Sequence, residues 1–178
     1  MFEILKRPSI AIESLQNVRW GGLYVVMLQE PEAFGTDFFA ENLGRNKCNL
    51  LPENTVYVGK GDNLRKRLRQ EFWQTNRATF FRSVGALLGL EPYENQINPT
   101  NYMFDGLSKR TIINFIENNM MVSYEFIDCE IERKVKEIEL ISSCHPLLNI
   151  QHNAGFTYSN LETERERCRN IAARVESL

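Results

Sequence analysis

A tyrosine, a lysine and an arginine lie near one another in the sequence, where a short strand is predicted to turn into a helix. Thr55 to Gly59 is rich in β-branched and aromatic residues and ends at glycines. A helix follows in which leucines recur four residues apart. Tyr57 and Lys60 belong to the strand end, and Arg67 belongs to the helix. A phenol can exchange a proton and a guanidinium presents a planar fork to oxyanions, so this corner is the first candidate for a chemical site.

The predicted helix is strongly basic, although the chain as a whole is not. Between Gly59 and Arg82 the sequence carries seven lysines or arginines and two acidic residues, against a formal net charge of −2 for all 178 residues. A basic segment on an acidic body is typical of a polyanion site, and a solvated helix face gives the same count. Asp62 is predicted to cap the helix. The candidate phosphate contacts are Lys60, Arg65, Lys66, Arg69, Arg77 and Arg82.

Length and composition restrict the remaining possibilities. A chain of 178 residues suits a single domain, 1–178. Its four cysteines include no Cys-x-x-Cys pair, so neither a zinc knuckle nor a disulfide framework is expected. A reducing cytoplasm is therefore the predicted location. The apolar run from Gly21 to Leu28 is too short to span a bilayer, and the beginning of the sequence lacks a signal-peptide pattern.

Further strands and helices are predicted on both sides of this corner. Gly22 to Leu28 and Met121 to Asp128 have the patterns of strands. Helices are predicted around Phe80 to Leu88, after a cap at Ser108, and from Ser159 to the end. The segment from Met1 to Arg19 is either a short strand or packs against the core, and 31–52 contains a short helix before a polar loop. The last predicted helix, which balances Glu against Arg, is expected to be a solvated face.

The helix predicted over Glu130 to Cys144 offers two carboxylates to a site. On a helical wheel Ile131, Val135 and Ile138 share a core-facing arc. Glu137 lies near the edge of that arc, and Glu139 projects about 160° away from it. Only one of the two can face a given site, and spacing alone leaves both open.

Five short motifs in this order resemble the GIY-YIG nuclease family. They are Gly22-Leu23-Tyr24, Tyr57-Val58-Gly59-Lys60, Arg67, Glu137 with Leu140-Ile141, and Pro146 with Asn149. The resemblance covers 21–151 as a nuclease core, with an insertion at 30–53, an extension at 1–20 and a helical tail at 152–178. It selects Glu137 over Glu139. The insertion is longer than is usual in the family, and Glu71 stands where several members carry histidine or tyrosine.

The resemblance implies an α/β fold with a small, mainly antiparallel three-stranded sheet flanked by helices. It also implies a metal-dependent endonuclease that cuts DNA by a one-metal mechanism, with Mg²⁺ or Mn²⁺ on Glu137. Arg67 is expected to bind phosphate. The general base is Tyr57 or Tyr24, and Tyr57 is favoured because Lys60 is near it in the chain. Asn149 is expected to orient the site, and His145 and His152 are interpreted as structural.

Two other functions stay open at this point. One is a nucleic-acid-binding or interaction module that keeps the fold without cutting, and the other is a nuclease for RNA or branched DNA. The first would bind with strong salt dependence and give no metal-dependent product. A panel of substrates would separate the second from a DNA nuclease.

Overall fold

The computed structural model describes residues 2, 5–43, 48–52, 54–74 and 78–174. These residues form three strands and seven α-helices. The strands are β1 (Gly22–Leu28), β2 (Thr55–Gly61) and β3 (Met120–Phe126). The helices are α1 (Pro8–Ser14), α2 (Thr36–Leu43), α3 (Leu64–Trp73), α4 (Thr79–Leu87), α5 (Gly106–Asn119), α6 (Glu130–Cys144) and α7 (Leu161–Ala172). Single 3-10 turns at Pro31–Phe34 and Pro99–Asn101 complete the described elements.

The strands form one antiparallel sheet in the order β2-β1-β3, which confirms the predicted three-stranded sheet. β1 lies in the centre, and Tyr24 is opposite Gly59 on β2 and Tyr124 on β3. β2 is therefore an edge strand. Its bounds extend two residues beyond the predicted end at Gly59, so Lys60 belongs to the strand itself.

Alternation along the strands divides the interior into two clusters. Leu23, Val25 and Val58 face α6 and form the smaller cluster. Tyr24 and Val26 face the opposite way, into the larger cluster built with α1, α3, α4, α5 and α7. The sheet is thus covered on both faces, and side chains that alternate along β2 reach two different surroundings.

The wheel prediction for α6 is wrong in its phase, although its bounds are correct. Ile131 is 74% exposed and Val135 is 59% exposed, while Leu140 and Ile141 are buried. Arg133 is buried on the same face as these two residues. The helix is rotated because its inner face has to place polar side chains beside β2, and an arc drawn through the most apolar residues misses that face.

Two predicted caps are also wrong. Asn63, and not Asp62, caps α3, because its Oδ1 accepts from the Lys66 amide at 2.8 Å. Asp105, and not Ser108, caps α5: the Ser108 amide donates to its Oδ1 at 2.7 Å. In both cases an adjacent or nearby residue of capping type fits the first turn better.

The beginning of the chain and the connection from β1 to β2 contain helices. Of the two alternatives for the first segment, packing against the core is confirmed: the segment forms α1, whose Ile12 is buried there. The short helix expected between β1 and β2 is present as α2. The structure joins Cys48, which follows this helix, to Cys144 at the end of α6. This disulfide contradicts the expectation drawn from the cysteine spacing.

No helix in the described part of the chain has both the length and the apolar character that a bilayer crossing requires.

Candidate active site at the edge of β2

One cavity of about 520 Å³ lies at the free edge of β2. It brings together five of the six predicted catalytic residues, namely Tyr57, Lys60, Arg67, Glu137 and Asn149. Tyr57 and Lys60 lie on opposite faces of the strand, because they are three positions apart and side chains alternate along a strand. The cavity therefore opens around the strand edge and takes side chains from both faces of the sheet.

On the α6 side a lysine and a carboxylate face each other. Lys60 Nζ is 4.0 Å from Glu137 Oε2, with the side chains 34% and 17% exposed. Burial raises the pKa of the Glu137 carboxyl, and the positive charges of Lys60 and Arg67 oppose that rise. Glu139 is exposed and does not line this cavity. Of the two carboxylates that spacing left open, Glu137 is the one that lines the cavity.

Arg133, one turn before Glu137, fixes the position of α6. Its Nη1 donates to the carbonyls of Ile127 at 2.7 Å and Asp128 at 2.6 Å. Its Nη2 bonds Asp62 Oδ1 at 2.5 Å, just after β2. The buried guanidinium therefore ties the start of α6 to the end of β2, and Glu137 points toward Lys60 as a result. The sequence does indicate that Arg133 and Glu137 share a helix face, because residues four apart are neighbours on an α-helix.

On the opposite side of β2 two buried tyrosines lie together. Their ring centroids are 6.1 Å apart. The Tyr24 hydroxyl lies directly over Gly59, where any Cβ would clash with it, so glycine is required at that position. Tyr24 is fully buried, whereas Tyr57 lines the cavity. Of the two candidate bases, only Tyr57 therefore reaches the space that a substrate would enter.

Burial raises the pKa of both phenols above the ordinary value near 10. The negative charge of Glu71 raises the pKa of each further, and Arg67 opposes the rise. Nearby positive charge was expected to lower the pKa of the tyrosine base. In the protein without a ligand, desolvation outweighs that effect. Tyr57 is a protonated phenol at neutral pH until more positive charge reaches it.

Arg67 is held by a buried carboxylate four residues later on α3. Its Nη2 forms an ion pair with Glu71 Oε1. The other oxygen, Oε2, accepts the Phe80 amide at 2.8 Å and so caps α4, whose own N-cap residue, Ala78, offers no side-chain acceptor. Burial raises the pKa of Glu71, while Arg67 and the Phe80 amide oppose the rise. Glu71 is thus a positioning residue that fixes Arg67 and the start of α4 together.

Asn149 closes the free edge of β2. The Val58 amide donates to Asn149 Oδ1, and Asn149 Nδ2 donates to the Val58 carbonyl, both at 2.8 Å. The Leu148 amide donates to the Val56 carbonyl at 2.9 Å. The side chain of Asn149 thus satisfies backbone groups that an edge strand would leave open, and its contribution is to hold the strand at the site.

The predicted phosphate contacts separate into different places. Arg65, Lys66 and Arg69 line a second cavity of about 390 Å³ beside the segment that precedes β1, away from the β2 cavity. Arg82 is not at the surface: it is 4% exposed on α4, with its guanidinium 5.7 Å from the centre of the Tyr102 ring. Arg77 lies outside the described residues. Of the six, Lys60 lines the β2 cavity.

Three basic side chains in the cavity escaped the sequence analysis. His152, interpreted there as structural, lines it with a left-handed backbone at φ 62°. Arg165 and Arg169 reach it from α7, a helix that looked solvated. In the sequence, the four-residue spacing of Arg165 and Arg169 indicates that they share a helix face. The glutamates between and before them make the helix look like a solvated one instead.

The cavity suits a hard divalent cation with one protein ligand. Glu137 is the one carboxylate among the described residues that line it. No set of three or more His, Cys, Asp or Glu in the described ranges is placed to hold a metal ion. Mg²⁺ keeps several waters and is often bound by one or two carboxylates plus substrate phosphate, so this arrangement fits such an ion.

A sequence model of the family described as "GIY-YIG catalytic domain" matches residues 22–171. The match includes β1, β2, α6 and most of α7. Comparison with curated proteins and with solved structures finds no match.

Proposed function

The chain belongs to the GIY-YIG catalytic domain family, a family of nucleases, and from that premise we propose that it is a metal-dependent endonuclease that hydrolyses DNA phosphodiester bonds. The observation that supports this proposal is the single cavity at the β2 edge, which collects a carboxylate, an arginine fork and a tyrosine from three elements. Those groups match the requirements of phosphodiester hydrolysis: relief of negative charge, a held phosphate and an acceptor for the proton of water.

Glu137 is the residue that would hold Mg²⁺ or Mn²⁺. When bound, the ion supplies positive charge that polarises a phosphate oxygen and lowers the pKa of nearby water. Lys60, 4.0 Å away, opposes the rise that burial causes in the pKa of Glu137 and adds a second positive charge at the same edge. The open, half-exposed setting of this pair leaves room for water and substrate.

Tyr57 is the proposed general base. It lines the cavity, and the buried Tyr24 packs behind it with ring centroids 6.1 Å apart. Because burial raises the pKa of Tyr57, proton transfer from water to its oxygen depends on the positive charge of Arg67 and of the filled site. Tyr24 then serves to position Tyr57 through packing.

Arg67 is the proposed phosphate ligand. Its guanidinium is fixed by Glu71 on one side, and it lines the cavity on the other. A planar fork held in this way can bind two phosphate oxygens without first being ordered. The outer patch of Arg65, Lys66 and Arg69 is proposed to bind the more distant backbone of the same DNA, which adds affinity without sequence preference.

The test is cleavage of a substrate panel by the full chain. Supercoiled plasmid, linear duplex, single-stranded DNA, a branched DNA junction and RNA are each incubated with Mg²⁺, Mn²⁺ or EDTA. The proposal predicts nicking or linearisation of plasmid with either metal and no product in EDTA. Cleavage of RNA or of the junction alone would correct the substrate, and salt-sensitive binding without any product would replace the enzyme with a binding module.

A further inference from the structure

The cavity at the β2 edge continues along α7, beyond the residues that the family motifs supply. Arg165 and Arg169, one helical turn apart, line both this cavity and a neighbouring one of about 500 Å³. The wall of the neighbouring cavity also contains Ile150, Thr163 and two glutamates, Glu162 and Glu166, and Glu166 forms the ion pair with Arg169. The two spaces share these arginines, and of the residues that α7 contributes to both cavities, Arg165 and Arg169 are the ones that carry positive charge.

Arg165 is a buried cation without an acidic partner. It is 6% exposed, its Nε has no hydrogen-bond partner, and its Nη1 lies 3.3 Å from the Ser83 hydroxyl oxygen. No ion pair to it is present among the residues that the structure describes. Arg169, further out, pairs with Glu166 at 2.8 Å on the exposed side of the helix. An unpaired guanidinium at the wall of a cavity leaves strong donors available to an anion.

A second buried arginine lies behind the first. Arg82 is 4% exposed, and its Nε and Nη1 also have no hydrogen-bond partner. Burial lowers the pKa of both arginines, and the charge of Arg165 lowers that of Arg82 further. The nearby carboxylate, Glu71, is already engaged by Arg67 and by the Phe80 amide. The region around α4 and α7 therefore carries more positive charge than the protein itself neutralises.

We propose that Arg165 and Arg169 form a second phosphate subsite, which binds a phosphodiester of the substrate strand next to the one held by Arg67. This inference rests on the proposed nuclease function and extends it to α7. Phosphate is the anion that suits the site, because its oxygens match the guanidinium fork and because a nucleic-acid strand presents phosphates in series. A phosphate bound in the subsite supplies the negative charge that Arg165 and Arg82 lack in the free protein.

Three variants on one helix test the subsite. Arg169→Gln removes the outer charge, and Arg165→Met replaces the inner one by an apolar side chain of similar length. Arg165→Met leaves the Ser83 hydroxyl bonded to the Thr79 carbonyl. Arg167→Gln is the matched control, because Arg167 bonds Glu164 and the Leu90 carbonyl instead of lining either cavity.

The first measurement is fluorescence anisotropy of a labelled DNA oligonucleotide in EDTA, over a series of salt concentrations. Arg169→Gln and Arg165→Met are each expected to weaken binding by about tenfold and to reduce the slope of log K against log salt by about one. Arg167→Gln is expected to bind within about twofold of wild type. Wild-type affinity and slope in both Arg165→Met and Arg169→Gln would overturn the subsite.

The second measurement separates binding from folding and uses inorganic phosphate alone. Thermal unfolding is followed in phosphate and in chloride at equal ionic strength. Wild type and Arg167→Gln are expected to gain stability in phosphate, because an anion that binds only the folded state raises Tm. Arg165→Met is expected to have an unchanged or higher Tm in chloride and a smaller gain in phosphate. An equal gain in Arg165→Met and Arg167→Gln would overturn the subsite.

Neither measurement depends on cleavage, so the two proposals fail separately. If the chain binds DNA through Arg165 and Arg169 but cuts nothing, the endonuclease proposal fails and the subsite stands. If the chain cuts DNA with metal and neither variant alters binding, the subsite fails and the endonuclease proposal stands.

Discussion

The two sides of β2 contribute very different surroundings to one site. On the α6 side Lys60 and Glu137 face each other at 4.0 Å and remain partly exposed. On the other side Tyr24 and Glu71 are fully buried, and Tyr57 is almost so. The open side can exchange water and admit a hydrated cation, whereas the closed side holds a guanidinium and two phenols in fixed positions. We infer that the open side supplies charge and the closed side supplies precise placement of phosphate and proton.

The largest effect is expected at Arg67 on the closed side. Arg67→Gln should lower the single-turnover cleavage rate by about 10²–10³-fold, because a fixed donor to the transition-state phosphate is lost. The rate is measured at saturating enzyme. Arg65→Gln, two residues earlier on α3, faces the other cavity and serves as control. Equal losses of rate in the two variants would mean that Arg67 contributes no more to cleavage than Arg65 does. The closed side would then have no special role in binding phosphate.

Asn149 connects the two sides, because it holds the edge of the strand that carries both. Asn149→Leu leaves the Val58 amide and carbonyl without partners and is expected to cost about 2–4 kcal/mol in the free energy of unfolding. Urea denaturation measures this change. The exposed neighbour Gln151 offers the comparison, and Gln151→Leu should stay within about 0.5 kcal/mol of wild type. A similarly small cost for Asn149→Leu would show that the hydrogen bonds from Asn149 to the Val58 backbone do not hold β2.

The pH dependence of cleavage sharpens the assignment of the base. A general base acts in its deprotonated form, and burial raises the pKa of Tyr57 above its ordinary value. The rate should therefore rise by about tenfold per pH unit from about pH 7 to about pH 9, without reaching a plateau. Tyr57→Phe should lose this rise, and Tyr24→Phe should keep it. A plateau in wild type near neutral pH would instead point to a group of lower pKa, such as a histidine.

The smallest effect is expected on the outer basic patch. Lys66→Gln should weaken DNA binding a few-fold and reduce the salt slope by about one, without changing the single-turnover rate at saturation. Arg110→Gln, on the exposed side of α5, is the control for a general loss of positive charge. A lower rate at saturation in Lys66→Gln would show that this patch takes part in the cleavage step and not only in binding.

The sheet was predictable from sequence because its strands are local patterns. β1 has the predicted bounds, Gly22–Leu28, and of the two candidate carboxylates on α6 the one selected by the motif order, Glu137, lines the cavity. The rotation of α6 was not predictable from hydrophobicity, since its inner face contains Arg133 and Glu137 while Ile131 is exposed. A helix that lines a polar site departs from the apolar arc that a wheel assumes.

The contribution of α7 could not be read from local sequence either. Arg165 is buried only because α4 packs against α7, a contact between segments about 80 residues apart. Charged residues are seldom buried without a partner, so the pattern of alternating Glu and Arg favours a solvated helix. Glu71 is a similar case, because its capping of α4 appears only once α3 and α4 are in place.

The most direct test of this account compares one residue from each side of β2 under single-turnover conditions. Glu137→Gln represents the open side and Tyr57→Phe the closed side, with the exposed residues Glu139→Gln and Tyr93→Phe as matched controls. The account predicts that both site variants lose about a hundredfold or more in rate while retaining DNA binding and Tm, and that both controls cut like wild type. Near wild-type cleavage by either Glu137→Gln or Tyr57→Phe would contradict a site shared across the strand.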